Sequence, residues 1–118
     1  MAKKARKSQK TRCSRRADRH VYVIELDREV LNKKDFVKEN PGYVEGQPCV
    51  YVGMSVHEPN IRYEQHKSGY KANRFARRYG MYVRAKRCRS GLTWKQAVHA
   101  EVAVSEALRS EGWAVWQK

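Results

Sequence analysis

Arg62 and His66 are two residues that can handle a phosphate group, and they lie four positions apart in a segment with helical sequence signals. Residues four apart share one face of a helix, so the guanidinium and the imidazole would lie side by side. Such a pair can hold phosphate oxygens and donate or accept a proton next to them. The same spacing also occurs often on ordinary solvent-exposed helices, and the pair alone does not decide between these interpretations.

Glu101 is the acidic residue whose position is least typical of a solvated surface. In a predicted helix over residues 93–111 it lines up with Ala97, Val104 and Leu108, at steps of 4, 3 and 4. Removing a carboxylate from water is costly unless it meets a cation, a hydrogen-bond donor or a metal ion. Glu101 is therefore a candidate metal ligand. The alternative is a glutamate at the edge of the stripe that reaches water or pairs with an arginine.

Tyr22 and Tyr51 each lie near the middle of a predicted strand, over residues 20–26 and 48–55. A phenol in this position is usually a core residue with a satisfied hydroxyl group. It can also supply a hydroxyl to a site at the sheet surface. The strand pattern leaves both possibilities open for each tyrosine.

The elements that would position these residues alternate between extended and helical patterns. Pro59 opens a helix that Gly69 ends, and Thr93 with Gln96 forms a capping-box pattern at the start of the longest helix. The predicted order is strand, strand, helix, helix, strand, helix, strand, over residues 20–26, 48–55, 60–67, 71–79, 81–87, 93–111 and 113–116. This order predicts one α+β domain over residues 20–118, with a small, mostly antiparallel sheet flanked by helices.

The charge of the chain is concentrated in two blocks. The 118 residues contain 26 Lys and Arg against 12 Asp and Glu, a formal net charge of +14, of which residues 1–20 carry +8 and residues 67–89 carry +9. A polyanion is the simplest partner for such blocks, because cations that neutralise phosphates release counterions. We expect residues 1–19 to be a flexible basic tail, which could also serve solubility or targeting.

The second basic block has two kinds of residue interleaved. Phe75 and Tyr79, four apart, would face the core of a short helix, which leaves its cations for a nucleic-acid backbone. The cations predicted to bind nucleic acid are Lys67, Lys71, Arg74, Arg77 and Arg78.

Other features bear on the compartment in which the chain works. No apolar run reaches the roughly 18 residues that a membrane-spanning helix needs, and the basic N-terminus contains no signal-peptide core. Three widely spaced cysteines suggest neither a disulfide framework nor a metal site. These features predict a cytoplasmic protein that does not bind membranes.

Taken together, the candidate residues resemble the motifs of the GIY-YIG nuclease family over about residues 20–116. Val21 and Tyr22 stand at the GIY element, with His20 in place of its glycine, and the YIG element is matched by Tyr51-Val52-Gly53. Arg62, His66 and Glu101 match, in order, the arginine, the histidine or tyrosine one turn later, and the metal-binding glutamate of the family.

The resemblance implies a metal-dependent endonuclease that acts on DNA or RNA. It implies that Tyr22 or Tyr51 helps to deprotonate a water molecule, that Arg62 holds the phosphate and that His66 handles a proton nearby. Glu101 would bind one Mg²⁺ or Mn²⁺. We expect the five side chains to converge on one concave surface with Glu101 accessible to the metal.

The chain also departs from the family pattern. The two tyrosines are 29 positions apart, so residues 27–47 look like an insertion, and neither the asparagine that often follows the glutamate nor a basic residue just after Tyr-Val-Gly is present. A noncatalytic nucleic-acid-binding protein that retains the fold, such as a ribonucleoprotein component, is therefore the alternative function. A structural basic protein, such as a ribosomal component, is a third hypothesis that leaves Glu101 unexplained. The sequence leaves the oligomeric state open.

Overall fold

A five-stranded sheet lies at the centre of the computed structural model, which describes residues 16–117. The predicted basic tail therefore lies largely outside the described residues. The strands in chain order are β1 Arg19–Leu26, β2 Cys49–Ser55, β3 Gly80–Val83, β4 Arg89–Leu92 and β5 Ala114–Trp116. β1 pairs antiparallel with β2 on one side and with β3 and β4 on the other, while β5 lies parallel to β2. The register places Tyr22 opposite Gly53 and Ile24 opposite Tyr51.

Four α-helices of the described chain flank this sheet. They are α1 Lys34–Lys38, α2 Pro59–Ser68, α3 Arg74–Tyr79 and α4 Trp94–Ser110. Pro59 opens α2, Gly69 ends it at a φ of 91°, and Thr93 and Gln96 form the predicted capping box of α4. The prediction of an α+β fold with a mostly antiparallel sheet flanked by helices is confirmed. Within residues 16–117, no helix is long and apolar enough to cross a membrane.

The two faces of the sheet are both covered, and this explains the nearly continuous apolar runs of β1 and β2. On one face, Val21, Val23 and Val52 are fully buried in a cluster with Ala97 and Leu108 of α4. The opposite face carries a mainly aromatic cluster that includes Tyr22, Tyr51, Phe36, Phe75, Tyr79 and Trp116. Because side chains alternate along a strand, neighbouring residues of β1 belong to different clusters.

Two element predictions are wrong in detail. The strand expected over residues 81–87 ends at Val83, a 3₁₀ turn follows over Ala85–Arg87, and β4 is a strand that the sequence did not predict. β4 is short and polar, and it forms because the N-terminal half of β1 extends beyond β3 and offers it a partner. The helix expected from residue 71 begins only at Arg74, because Lys71 has a φ of 44° and Asn73 caps the helix.

The insertion over residues 27–47 closes the free edge of β5. It contains a 3₁₀ helix, Arg28–Asn32, and α1, followed by the buried Asn40. The Asn40 side chain accepts a hydrogen bond from the Val115 backbone N–H at 2.7 Å and donates one to the Phe36 carbonyl at 2.8 Å. Arg109 donates to the Val115 carbonyl at 2.9 Å. Side chains thus satisfy backbone groups that a further strand would otherwise bind.

We expect Asn40→Ala to lower the free energy of unfolding by about 2 to 3 kcal/mol, because it leaves the Val115 N–H buried without an acceptor. Asn40→Asp keeps an oxygen acceptor and should cost only about 1 kcal/mol, for the lost bond to the Phe36 carbonyl. Urea unfolding of both variants measures the difference. Equal stability of Asn40→Ala and the parent would show that the insertion does not hold β5.

Candidate active site

A hydrogen-bonded chain joins β1, α2 and the start of α3. The Tyr22 hydroxyl lies 2.9 Å from His66 Nε2, and the Asn73 backbone N–H donates to His66 Nδ1 at 3.0 Å. Tyr22 and His66 are each only 1% exposed. The sequence placed Arg62 and His66 on one helix face, and the structure directs His66 inwards from that helix to the sheet.

The bond from Asn73 fixes which nitrogen of His66 carries the proton. A backbone N–H can only donate, so Nδ1 must accept, and a neutral imidazole then holds its proton on Nε2. The Nε2–H group donates to the Tyr22 oxygen, which leaves the phenolic proton free to point elsewhere. Burial, with a smaller contribution from Arg62, lowers the pKa of His66 to about 4, so this neutral form prevails at neutral pH.

Tyr51 completes the aromatic wall of the site. Its ring centroid lies 5.3 Å from the ring centroid of His66, edge to face, and 6.0 Å from that of Tyr22. Gly53 allows this packing, because a Cβ atom there would lie 2.5 Å from the Tyr22 oxygen and 3.0 Å from the Tyr51 ring. The glycine of the Tyr-Val-Gly segment is therefore required by the close approach of the Tyr22 phenol to β2.

Arg62 borders the same group of residues and holds the loop after α2. Its guanidinium donates to Gln65 Oε1 at 2.9 Å and to the backbone carbonyls of Tyr70 and Lys71 at 3.2 and 2.8 Å. These bonds use three of the five N–H donors of the guanidinium, and Arg62 also donates a hydrogen bond to the Tyr22 hydroxyl. Burial raises the pKa of Tyr51, and the nearby Arg62 charge opposes this effect.

Burial also raises the pKa of Tyr22, well above its ordinary value, and the neighbouring Tyr51 adds to the rise. Arg62 offsets only part of this increase. Tyr22 is consequently a neutral phenol at neutral pH in the protein alone. To become a base, it would need additional positive charge close to its oxygen.

Glu101 reaches the site from a different direction than the other four candidates. It belongs to α4, whose buried residues pack on the opposite face of the sheet. Its half-buried carboxylate accepts a hydrogen bond from the Gln117 side chain at 3.0 Å, just beyond the end of β5. The negative charge of Glu101 contributes to the raised pKa of Tyr51, behind burial. The structure therefore brings four candidates together directly and places Glu101 at their border.

Glu101 is the one candidate metal ligand among these residues. Within residues 16–117 there is no group of three or more His, Cys, Asp or Glu side chains that could hold a metal ion. Mg²⁺ commonly uses one or two carboxylates and completes its coordination with water and substrate phosphates. Partial burial removes water from the Glu101 carboxylate and raises its pKa, and the hydrogen bond from Gln117 opposes this rise. A single carboxylate of this kind fits that mode of binding.

The predicted nucleic-acid-binding cations divide into two groups. Lys67 donates to the Arg77 and Gly80 carbonyls at 2.8 and 2.9 Å, and Arg74 forms an ion pair with Asp35 at 2.7 Å. These two side chains therefore have structural partners. The exposed side chains of Lys71, Arg77 and Arg78 remain as the cations open to a ligand. A cavity of about 520 Å³ beside α3 is lined by Lys67, Gly69, Ala72, Arg74, Arg77 and Arg78.

Two residues that sequence reasoning missed help to hold the site. Asn73 caps α3 through bonds from the Phe75 and Ala76 N–H groups, and its own N–H orients His66. An asparagine just before a helical segment is a recognisable N-cap signal. Gln117 had no such signal, because its bond to Glu101 depends on how β5 ends beside α4.

The buried His66 gives an expected pH dependence of stability. Its pKa is about 4 in the folded protein and 6.5 in the unfolded chain, so the unfolded chain binds more protons between these values. Stability from this group is present above pH 6.5 and falls as the pH drops to 4, by up to about 3 kcal/mol. We expect the free energy of unfolding of His66→Gln to fall less than that of the parent between pH 6.5 and pH 4. Urea unfolding of both proteins at a series of pH values measures this difference. Equal losses would contradict a neutral, buried His66.

Comparisons with known proteins add no assignment to this geometry. No family model, curated protein or solved structure matches the chain.

Proposed function

We propose that the chain is a metal-dependent endonuclease that hydrolyses phosphodiester bonds in DNA or RNA in the cytoplasm. The observation that carries the proposal is the bonded pair of Tyr22 and His66 beside the Arg62 guanidinium. A strongly basic chain with a net charge of +14 supports a polyanionic substrate.

Hydrolysis of a phosphodiester needs a bound phosphate, a deprotonated water molecule and stabilisation of developing negative charge. The Arg62 guanidinium would hold phosphate oxygens, and the loop carbonyls of Tyr70 and Lys71 keep this guanidinium in place. Because Arg62 is anchored at three points, it would need little reorganisation as charge develops on the phosphate.

The tyrosines and His66 would handle the proton. His66 donates Nε2–H to the Tyr22 oxygen, an arrangement that stabilises a phenolate more than a phenol. Tyr51 is 8% exposed against 1% for Tyr22, so Tyr51 has the better access to a water molecule at the surface. We therefore assign Tyr51 to the water and Tyr22 to positioning, with His66 and Asn73 holding Tyr22 in turn.

Glu101 would hold one Mg²⁺ or Mn²⁺ at the border of this group. When bound, the divalent cation would supply the positive charge that lowers the pKa of a nearby hydroxyl or water and stabilises the phosphate oxygens. The raised pKa values of Tyr22 and Tyr51 make such charge a requirement for base catalysis in this chain.

A noncatalytic nucleic-acid-binding protein is the second candidate function, and the position of Glu101 favours it. Glu101 approaches from the helix on the opposite face of the sheet and already accepts a bond from Gln117. In that case Arg62 and the exposed cations near α3 would bind phosphates without hydrolysis.

Tyr22→Phe tests the nuclease proposal at the bonded pair. It removes the oxygen that accepts from His66, and we expect cleavage of DNA or RNA to fall about 100-fold while metal-free binding is unchanged. Tyr43→Phe is the matched control, because the Tyr43 hydroxyl donates to the Gln47 carbonyl at 2.7 Å, away from this pair. Equal cleavage by parent and Tyr22→Phe at equal stability would remove Tyr22 and His66 from the mechanism.

A further inference from the structure

A second groove lies on the face of the sheet that carries α4, opposite Tyr22 and His66. It has a volume of about 610 Å³ and runs between β4 and the first half of α4. Its floor includes Leu92 and the buried Ala100, which both pack in the cluster that contains Val21, Val23 and Val52. The capping box between Thr93 and Gln96 fixes one wall. The groove is therefore built from regular elements.

The groove carries positive charge without compensating acid. Arg89, Lys95 and His99 line it with exposed side chains, and none of the lining residues is acidic. None of these three side chains forms an ion pair with an acidic residue within the described part of the chain. Two cations without ion-pair partners in the described chain, Arg89 and Lys95, beside an apolar floor suit an anionic ligand.

The first strand of the sheet begins beside this groove. Arg19 at the start of β1 pairs with Leu92, and Val21 pairs with Arg89. Positions 1–15, which precede this strand in the sequence, contain seven Lys and Arg residues and no acidic residue. The many cations of the sequence before β1 favour an extended polyanion over a small anion as the ligand of this protein.

We propose that this groove binds the phosphate backbone of a second nucleic-acid segment. The sheet separates the groove from Arg62 and Tyr51, and duplex DNA is stiff over about 150 base pairs. A short duplex bound to one face of the sheet therefore cannot bend around to the opposite face. Two faces that both bind nucleic acid would bind two separate segments. The proposal rests on the proposed function only for its nucleic-acid partner, and it requires no cleavage.

The test compares two double variants that each remove two positive charges. Arg89→Gln with Lys95→Gln changes the groove, and Lys34→Gln with Lys38→Gln changes exposed lysines of α1. On short duplex DNA we expect the groove variant to reduce the log–log salt slope by about 1.8, at 0.9 per lost phosphate contact. In a second assay, the parent protein bound to an immobilised duplex should capture a second, labelled duplex from solution. The groove variant should not capture it. The α1 variant should keep both properties.

Other outcomes would overturn the proposal. Equal slopes for the two double variants would show a general effect of net charge. The groove would instead bind an acidic protein if the parent binds polyglutamate, only the groove variant loses this binding, and DNA binding is the same in all three proteins. Cleavage of the same duplex in Mg²⁺ is measured in parallel, so a parent that bridges duplexes without cutting them supports the groove and rejects the nuclease.

Discussion

Glu101→Gln is expected to abolish metal-dependent cleavage, by at least about 1,000-fold, and to leave the fold intact. The amide keeps the size of the side chain and an oxygen that can still accept the bond from Gln117. It lacks the negative charge that a hard divalent cation prefers in its ligands. In metal-free buffer the variant should bind nucleic acid as well as the parent or slightly better, because a negative charge has left a basic protein.

Glu106→Gln is the matched control for this variant. Glu106 lies on the same helix five residues further on, and its side chain is exposed. The two variants lose the same charge, so only the position of the carboxylate differs between them. Cleavage that survives in a folded Glu101→Gln protein would remove Glu101 from the metal site.

Arg62→Lys is expected to lower cleavage by about 100- to 1,000-fold, since it removes the planar donors that hold the phosphate. Lysine keeps the positive charge, so metal-free binding should change by less than about tenfold. The variant also loses some of the bonds to Gln65, Tyr70 and Lys71, and thermal unfolding shows how far the loop is weakened. Cleavage is compared at a temperature at which both proteins are fully folded.

Arg78→Lys is the control for Arg62→Lys, because Arg78 is an exposed arginine on α3, in the same basic block. It should cleave at nearly the rate of the parent. Equal losses in the two variants would assign Arg62 to general charge attraction and not to the phosphate at the reaction site.

The sequence predicted the fold best where local signals were strong. The β-branched runs of β1 and β2 and the capping box of α4 fixed three elements, and the mostly antiparallel α+β fold followed. β4 was missed because its four residues, Arg-Ser-Gly-Leu, have no strand propensity, and the free part of β1 creates it. The start of α3 was misplaced because the positive φ of Lys71 is not visible in the sequence.

The candidate site was only partly accessible to sequence reasoning. The helical spacing placed Arg62 and His66 together, but the direct bond from His66 to Tyr22 depends on how α2 packs on the sheet. The apolar stripe of α4 contains the buried residues Ala97 and Leu108. Glu101 lies at the edge of this stripe and accepts a hydrogen bond from Gln117. Periodicity locates a residue on a helix face, and tertiary packing decides which neighbours its charged atoms meet.

Incubation of the full chain with supercoiled plasmid, single-stranded DNA and RNA, in Mg²⁺ or Mn²⁺ and in chelator, tests the nuclease assignment most directly. The proposed arrangement of Tyr22, Tyr51, Arg62, His66 and Glu101 predicts cleavage of at least one substrate with the metal and none in chelator. Binding of these substrates with no cleavage in either metal would contradict it and establish the noncatalytic alternative.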